Sequence, residues 1–454
     1  MAAPLPADAR RSLRIYNLAF PLVFLGLLPG FLLRMLRRGG YRDKFMQRLG
    51  RYTPEEKQRF AGGGWLWLHS ISVGETLLAL KLARQMRVLD PAARIALSVT
   101  TSTGFAVARE AACDWLEVIY NPLDLPGIVR AALDAVQPRR LIFIEAIWPN
   151  LLAEATRRGV PVAFVPRLSP RSEARFRRAR ALAGPLFRLI DVLAVQEPED
   201  VARWQSLGVD AARIRVTGNA KFDHVEGGGE RVAEFRGLLR QLGVSDDAPI
   251  LLGGSTFAGE ELALAKIYRE LRGAVAGFSE PGRGGHKQFP GLFLILVPRH
   301  FERTPEVLAD LDSLGLRVAL RNTTAPAPAD VLVINTTGEL RDWYHLATVV
   351  FIGKSLTAQG GQNPVEPVLA GKPVVCGPHM ENFAAIVSRW LEADAVVQVR
   401  DENELKSQIA DLLATAACRD ALAARARAIV AVHLGATERT ARAVLGQREL
   451  IVEG

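Results

Sequence analysis

The sequence predicts an α/β protein with two doubly wound parallel-sheet domains. Short apolar runs alternate with amphipathic helical stretches along the chain after residue 65, as expected when helices join buried parallel strands. The 454 residues exceed what one ordinary hydrophobic core accommodates, so we expect two domains. Polar motifs follow several of the apolar runs, at the strand ends where such sheets bind ligands.

The first domain opens with a strand that precedes a polar turn and a helix. The turn is Ser70-Ile-Ser-Val-Gly-Glu75, and a later strand ends at Trp148-Pro-Asn150. The predicted strands of this domain are Trp65–His69, Ile95–Val99, Leu141–Ile144, Pro161–Val165 and Val192–Gln196.

A glycine-rich stretch, residues 224–230, is the predicted interdomain linker. We place an N-terminal membrane anchor and basic segment at 1–50, the first domain at 51–223, and the second domain with C-terminal helices at 231–454. Two such domains facing a cleft form the GT-B arrangement of many sugar transferases. The predicted strands of the second domain are Ile250–Gly253, Leu292–Val297, Val331–Asn335, Val349–Ile352, Pro373–Cys376 and Ala395–Val399.

Charge and cysteine content narrow the functional class. The formal net charge of +9 favours an anionic partner such as a phosphorylated substrate or acidic lipid headgroups. The three cysteines lack CxxC spacing and the seven histidines lack HExxH spacing, so we expect neither a disulfide framework nor a metal site. We expect no nucleic-acid partner, because no aromatic stacking platform or basic recognition helix is evident.

The segment from Ile15 to Leu33 carries no charge and is nearly all apolar. A spanning helix needs about 20 such residues, although Pro21, Pro29 and Gly30 oppose a straight span. We expect a single-pass or monotopic anchor, and the alternative is a buried N-terminal helix of a soluble domain. The basic residues that follow would stay on the cytoplasmic side and bind anionic headgroups: Arg34, Arg37, Arg38, Arg42, Lys44 and Arg48.

A glycine-rich turn follows the predicted strand that ends at Ile352. Gly360 and Gly361 permit close approach of a ligand to the backbone, and a helix is predicted to open at Asn363-Pro364. Glu366, in its first turn, would hold a ribose diol, while the helix N-terminus would offer amides to a phosphate. The motif therefore suits a nucleotide-sugar site, and the alternative is a capped helix after a buried strand.

The ordered motifs resemble those of the 3-deoxy-D-manno-octulosonic acid (Kdo) transferase family. The resemblance runs from the N-terminal segment to about Val399. It rests on His69-Ser-Ile-Ser-Val-Gly-Glu75, Trp148-Pro-Asn150, Arg167-Leu-Ser-Pro-Arg-Ser172, Gly218-Asn-Ala-Lys-Phe-Asp223, Ser255-Thr256 with Gly259-Glu-Glu261, Val297-Pro-Arg-His300 with Glu302-Arg303, Thr337-Gly-Glu-Leu340, Gly360-Gly-Gln-Asn-Pro-Val-Glu366 and Gly377-Pro-His379.

The resemblance implies an inverting, cofactor-free and metal-independent transferase at the inner (plasma) membrane, with its catalytic domains in the cytoplasm. It would move Kdo from CMP-Kdo to a lipid A precursor, lipid IVA, and its partners would be these substrates and membrane lipids. Glu75 would be the general base that removes the acceptor hydroxyl proton. The alternative reading of Glu75 is an acidic residue that favours the helix macrodipole.

The donor needs groups that hold its phosphate, ribose and base. A lysine contacts phosphate as a point charge, and an arginine contacts it through two parallel donors. The predicted donor-binding residues are Lys221, Ser255, Thr256, Arg299, Gly338, Glu339, Leu340, Asn363 and Glu366. For the two basic residues, the alternative is an ordinary solvated or ion-paired side chain.

The acceptor side has its own candidates. They are Ser72, Gly74, Glu145, Arg167, Ser169 and Arg171. The last three open a run of arginines that would meet acceptor phosphates or the membrane surface, and that equally fits a solvated helix face.

Several positions depart from the family pattern. The family's Glu-x-Glu pair is replaced by Ile144 and Ala146, with Glu145 between them, and a one-residue shift moves a side chain to the other face of an extended segment. Other departures, where the family has His, His and Gly, are Phe257, Gln362 and Lys354. The alternatives are therefore a changed sugar or acceptor, or a catalytically impaired membrane-bound paralogue. A GT-B sugar-nucleotide epimerase fits less well.

Overall fold

The computed structural model describes residues 4–38, 44–220, 222–223, 229–273, 288–323 and 325–447. The chain divides into two compact units, one of residues 1–223 with 433–454 and the other of residues 224–432. Residues 433–454, expected in the second domain, group with the first unit. The predicted linker, residues 224–230, lies outside the described residues except for 229 and 230.

Within the described part of the first unit, seven parallel strands form one sheet in the order β3-β2-β1-β4-β5-β6-β7. The strand order runs outward in both directions from the adjacent pair β1 and β4, which is the pattern of a doubly wound sheet. The strands are β1 (Trp65–Ser70), β2 (Ile95–Val99), β3 (Leu116–Tyr120), β4 (Pro138–Ile144), β5 (Val162–Val165), β6 (Val192–Val195) and β7 (Ile214–Val216).

The second unit repeats this design. Its described residues form a seven-stranded parallel sheet in the order β10-β11-β9-β8-β12-β13-β14. The strands are β8 (Ile250–Thr256), β9 (Phe293–Pro298), β10 (Val318–Leu320), β11 (Val331–Val333), β12 (Val349–Ile352), β13 (Val374–Cys376) and β14 (Val397–Gln398). The prediction of an α/β fold with parallel sheets is confirmed.

Helices cover the faces of both sheets. In the first unit they are α1 (Ala7–Arg38), α2 (Pro54–Arg59), α3 (Val73–Leu89), α4 (Ser102–Glu110), α5 (Pro126–Val136), α6 (Pro149–Arg157), α7 (Pro170–Arg178), α8 (Arg180–Phe187) and α9 (Pro198–Ser206). The second unit contains α10 (Val232–Gln241), α11 (Glu260–Arg272), α12 (Thr304–Asp312), α13 (Leu340–Leu346), α14 (Val365–Leu369), α15 (Ala384–Glu392), α16 (Glu402–Ala414) and α17 (Ala416–Ala431). The last helix of the first unit is α18 (Ala436–Leu445), and short 3₁₀ turns lie at Phe45–Leu49, Ala211–Arg213, Phe301–Arg303 and Glu381–Phe383.

The central strands are buried on both faces. In β1, Trp67 packs into the cluster on one face while Leu66 and Leu68 pack into the cluster on the other. Central strands of this kind read as continuous apolar runs, which is why the sequence revealed them. The missed strands β3, β7 and β10 all lie at sheet edges, where charged or exposed residues such as Glu117 interrupt the apolar pattern.

The N-terminal helix α1 packs onto the first unit. Leu5, Ala9 and Leu13 belong to its core, and the Asn17 side chain accepts a hydrogen bond of 2.7 Å from Asn150. Among the described residues, no helix combines the length and apolar character needed to cross a bilayer. The expected single-pass anchor is therefore not supported.

Two residues of the predicted headgroup-binding cluster also contribute to the fold. The Arg48 guanidinium is buried over the Tyr120 ring, at 4.1 Å from its centroid, and donates to the carbonyl of Thr100. Lys44 forms an ion pair of 3.2 Å with Glu117. These two cations therefore contact side chains of the edge strand β3 and stabilise it. Because Arg48 is buried, its guanidinium is not accessible to a lipid headgroup.

The C-terminal helix α18 packs against α3 and β6 of the first unit. Its first turn is capped by Asp223, whose carboxylate accepts hydrogen bonds from the backbone of Gly435 and Thr437. Lys81 donates to the carbonyl of Ala220 at 2.7 Å. Ala220 and Asp223 are thus held by α3 and α18, two elements distant from each other in sequence.

Candidate functional site

Glu75 lies in the first turn of α3, directly after β1. Its carboxylate accepts hydrogen bonds from the backbone N–H of Ile71 at 2.7 Å and from the Ser72 hydroxyl at 3.0 Å. Ser72 is the N-cap of α3 and in turn accepts from the Glu75 N–H. The side chain is therefore fixed in orientation while remaining half-buried, whereas Ser72 and Gly74 are exposed beside it.

The structure brings Glu145 close enough to Glu75 for their charges to interact. Partial burial raises the pKa of Glu75, hydrogen bonds from Ile71 and Ser72 oppose this rise, and the negative charge of Glu145 adds to it. A raised pKa brings the carboxylate nearer to the range in which a general base works well.

Glu145 reaches this position through an unusual backbone conformation. Its φ is 59°, in the left-handed region, immediately after β4 ends at Ile144. The sequence argument that a one-residue shift sends Glu145 to the opposite face assumed extended backbone. That assumption is wrong at this residue, because the chain turns there.

Buried polar groups support the end of β1 from below. His69 is fully buried, with Nδ1 3.2 Å from the Ser98 hydroxyl and Nε2 3.4 Å from the Asn121 amide. Burial lowers the pKa of His69 to about 3, so the ring is neutral at physiological pH. Asn121 also donates to the carbonyl of Ser70 at 2.9 Å, which fixes the strand end from which Glu75 follows.

The Trp148-Pro-Asn150 motif links three elements of the first unit. Asp124 accepts hydrogen bonds from the backbone of Asn150 and Leu151, at 3.0 and 2.9 Å, and so caps the start of α6. Burial raises the pKa of Asp124 to about 6. Trp148 packs edge-on against the His69 ring at 5.9 Å. The geometry gives this motif a structural role.

The predicted acceptor arginines lie on an exposed basic surface. Arg167 and Arg171 are exposed, and Ser169 caps α7 by accepting from the Ser172 N–H at 3.2 Å. Within α7, Arg177 pairs with Glu173 at 2.8 Å. Ser169 therefore has a structural function, while the arginines present charge to the solvent.

In the second unit, the ends of β8 and β9 carry three predicted donor residues. Ser255 adopts a left-handed conformation, with φ 53°, and Thr256 is fully buried. Within the described residues, the Thr256 hydroxyl has no hydrogen-bond partner. Arg299 is exposed, and its N–H donates to the Thr256 carbonyl at 3.0 Å. Lys221 lies outside the described residues.

Glu260 organises the glycine-rich loop after β12. Its carboxylate is completely buried, at 0 % exposure, and accepts hydrogen bonds from the N–H groups of Lys354, Ser355 and Leu356 at 2.7, 3.0 and 2.9 Å. It also accepts from the Phe257 N–H at 2.8 Å. The sequence analysis did not include Glu260 among the site residues, although the motif containing it was noted.

Two positions next to this loop, Gly353 and Gly377, have no room for a side chain. A Cβ on Gly353 would lie 2.1 Å from the Ser255 carbonyl oxygen, and one on Gly377 would lie 2.2 Å from the Ser355 carbonyl oxygen. The loop backbone therefore passes in direct contact with the neighbouring strand ends, which no other residue type permits.

Asn363 and Glu366 lie together where this loop meets α14. The Asn363 amide donates to the Glu366 carboxylate at 3.2 Å, and Asn363 Oδ1 accepts from the Val365 N–H at 3.0 Å. Glu366 is also 3.4 Å from the Arg341 guanidinium. The helix begins at Val365, with Pro364 at its N-cap, rather than with Pro364 as its first residue.

Glu339 is engaged by the protein itself. Its two oxygens accept from Arg231 at 2.7 Å and from Arg321 at 2.9 Å, and Thr336 donates at 3.0 Å. Burial alone would raise the pKa of Glu339, but these bonds lower it. Its side chain is thus held by donors of the protein itself.

The part of the chain that the structure describes contains no cluster of three or more His, Cys, Asp or Glu side chains arranged to hold a metal ion. Metal independence stays a prediction.

The architecture of two doubly wound parallel-sheet units has a counterpart among solved structures. MurG of Acinetobacter baumannii is similar in structure, with a TM-score of 0.52 over 85% of this chain and 100% of that chain. Since the two chains are only 12% identical in sequence, this likeness bears on the fold alone. It supports a GT-B-like fold for the chain.

Sequence comparison is more specific. Residues 43–224 match the family model described as 3-deoxy-D-manno-octulosonic-acid transferase. The chain is 32% identical to the 3-deoxy-D-manno-octulosonic acid transferase of Bordetella pertussis, over 93% of this chain and 97% of the relative. It is 29% identical to that of Haemophilus influenzae, over 92% and 93% of the two chains. The chain belongs to the Kdo transferase family.

The Glu260 network predicts a local stability effect. In Glu260→Gln an NH₂ group replaces one acceptor oxygen and faces backbone N–H groups, so at least one amide loses its partner inside the protein. We expect a loss of about 2–4 kcal/mol in the stability of the second unit, and faster hydrogen exchange at residues 354–357.

Glu270→Gln provides the matched control for this experiment. Glu270 lies on the same helix and pairs with Lys406 at 2.8 Å, but its side chain is 57% exposed. Its substitution is expected to cost about 0.5 kcal/mol or less. Unchanged exchange at 354–357 in Glu260→Gln would contradict the assigned role.

Proposed function

We propose that this protein transfers Kdo from CMP-Kdo to a lipid A precursor, lipid IVA, with inversion and release of CMP. The acceptor hydroxyl oxygen forms a bond to the anomeric carbon of Kdo, and the bond from that carbon to the CMP phosphate oxygen breaks. The hydroxyl proton goes to the base, and the bonding electrons leave with CMP. Family membership supports the reaction type, and the geometry around Glu75 supports the assignment of the base.

Glu75 is the proposed general base, and this assignment carries the proposal. Its carboxylate is held by Ile71 and Ser72, so it keeps one orientation at the end of β1. Because burial and the Glu145 charge raise its pKa, it binds a proton more readily than an exposed glutamate does. Glu145 serves as an electrostatic neighbour that tunes Glu75.

The donor occupies the strand ends of the second unit. Arg299 contacts the phosphate, and Asn363 with Glu366 holds the ribose or the base. Ser255, Thr256 and the backbone at 338–340 border the same donor. Lys221, which lies outside the described residues, stays a predicted donor-binding residue. The exposed Arg167 and Arg171 meet the acceptor phosphates.

A transfer assay tests the reaction and the base together. Purified protein in detergent receives CMP-Kdo made in place, a tetraacylated lipid A precursor and, once the donor is made, EDTA. We expect a mass gain of one or more Kdo units in the wild type. Glu75→Gln should lower the rate by about 10²-fold or more, with normal CMP binding by calorimetry.

Glu110→Gln is the control for this assay, because Glu110 is an exposed glutamate of the first unit on α4. Near-normal turnover in Glu75→Gln would exclude Glu75 as the base. No product together with intact CMP binding would indicate another acceptor or sugar, and no CMP binding would refute the donor.

The Glu75–Glu145 pair predicts a pH effect with a defined sign. A general base acts when deprotonated, so the rate falls as pH drops through the raised pKa of Glu75. Glu145→Gln removes the like charge that adds to this rise, so the acid limb of the pH–rate profile should move to lower pH. Complete loss of transfer at every pH would instead give Glu145 a direct role in the reaction.

The protein acts at the inner membrane, which it contacts from the cytoplasmic side through an exposed apolar face of α1. Leu18, Leu22, Val23 and Leu25 are 58–76% exposed. Apolar side chains on a helix surface enter the headgroup region and hold a protein to one leaflet without crossing it.

Substitution of these side chains tests the membrane contact without disturbing the core. Leu18→Ser, Leu22→Ser and Leu25→Ser combined should reduce co-sedimentation with anionic phospholipid vesicles by roughly tenfold or more. Val88→Ser, 70% exposed on α3, is the control. Unchanged sedimentation would assign attachment to another surface.

A further inference from the structure

Lys354 stands out at the end of β12 because of its backbone conformation. Its φ is 57°, in the left-handed region that favours glycine, and it is the second residue after the strand. A lysine held in this conformation needs a compensating reason, and such outliers cluster at ligand-binding sites.

The loop is locked by Glu260, so the position of Lys354 is fixed by the fold. The Lys354 N–H donates to Glu260 at 2.7 Å, and its carbonyl accepts from the Gly361 N–H. Both backbone groups of Lys354, the N–H and the C=O, are therefore hydrogen-bonded. The side chain is attached to a backbone that cannot easily rearrange. This is the preorganisation that a binding residue requires.

The Lys354 ammonium rests on an aromatic side chain rather than on a carboxylate. It lies 5.2 Å from the centroid of the Phe257 ring, and the same ring packs edge-on against His300 at 5.6 Å. In the described part of the chain, Lys354 forms no ion pair. The carboxylate of nearby Glu381 instead contacts the Gly360 N–H, at 2.7 Å, and the His379 ring, at 3.3 Å.

We propose that Lys354, seated on Phe257, is a binding residue for an anionic group of the sugar-nucleotide donor. This inference rests on the proposed function and adds a residue that neither the sequence analysis nor the family resemblance assigned. The Phe257 ring orients the ammonium without neutralising it, so the charge stays available to a ligand. The anion is either the nucleotide phosphate or the sugar carboxylate, and Lys354 recognises the shared negative charge.

Three variants separate charge from backbone strain. Lys354→Met keeps the side-chain length and removes the charge, and Lys354→Arg keeps the charge. Lys354→Gly removes the charge and also relieves the left-handed conformation, so it should fold at least as stably as the wild type. Lys406→Met is the control, because Lys406 pairs with Glu270 on the helix surface.

Calorimetry with CMP and cytidine, and donor KM in the transfer assay, test the proposal. We expect the Met and Gly variants to lose roughly tenfold or more in affinity, and Lys354→Arg and Lys406→Met to stay near the wild type. A loss for CMP but not for cytidine identifies the phosphate. Unchanged CMP affinity with a raised KM for CMP-Kdo at constant kcat identifies the carboxylate.

The negative outcomes are distinct. Normal CMP affinity and normal donor KM in both Lys354→Met and Lys354→Gly would overturn the role of Lys354 alone. A wild-type protein that binds no CMP and uses no CMP-Kdo would overturn the proposed donor, and the role of Lys354 with it.

Discussion

The second unit depends on one buried carboxylate. Glu260 lies at the start of α11, yet it accepts backbone N–H groups from a loop almost a hundred residues later, at Lys354, Ser355 and Leu356. A buried charge is costly unless hydrogen bonds compensate it, and amides buried without acceptors are costly too. The loop N–H groups compensate the buried charge of Glu260, and the Glu260 carboxylate supplies the acceptor that these amides need. These hydrogen bonds join the carboxyl ends of β8 and β12. They also hold the backbone of Gly353 against the Ser255 carbonyl, where no side chain fits.

The first unit reaches a similar result with neutral groups. His69 and Asn121, with hydroxyl partners beside them, form a hydrogen-bonded layer beneath the end of β1. This layer fixes the strand end. The hydrogen bonds from Ile71 and Ser72 are therefore sufficient to orient the Glu75 carboxylate. The Glu75 carboxylate can therefore keep a raised pKa with little loss of folding stability. Most of the rigidity of this strand end comes from His69 and Asn121, which do not contact Glu75.

The sequence predicts the central strands well and the long-range contacts poorly. A strand buried on both faces is an apolar run, so β2 and β12 were found with their observed ends, while the edge strands β3, β7 and β10 were missed. The expected single-pass anchor is not supported among the described residues, because apolar content along the sequence does not by itself show that a helix spans a bilayer. The left-handed turn at Glu145 and the reach of Glu260 depend on tertiary structure, which no local pattern encodes.

Charge compensation separates structural from functional residues among the candidates. Glu339 was a plausible ligand-binding residue by sequence, but Arg231, Arg321 and Thr336 already satisfy it. Lys354, in contrast, forms no ion pair within the described residues, and Glu75 lies near a like charge instead of a cation. A charged group at a strand end that the protein leaves without an opposite charge is a candidate for contact with a substrate. Motif position predicts Glu339 as a donor-binding residue, whereas Lys354 becomes a candidate only through its contacts in the structure.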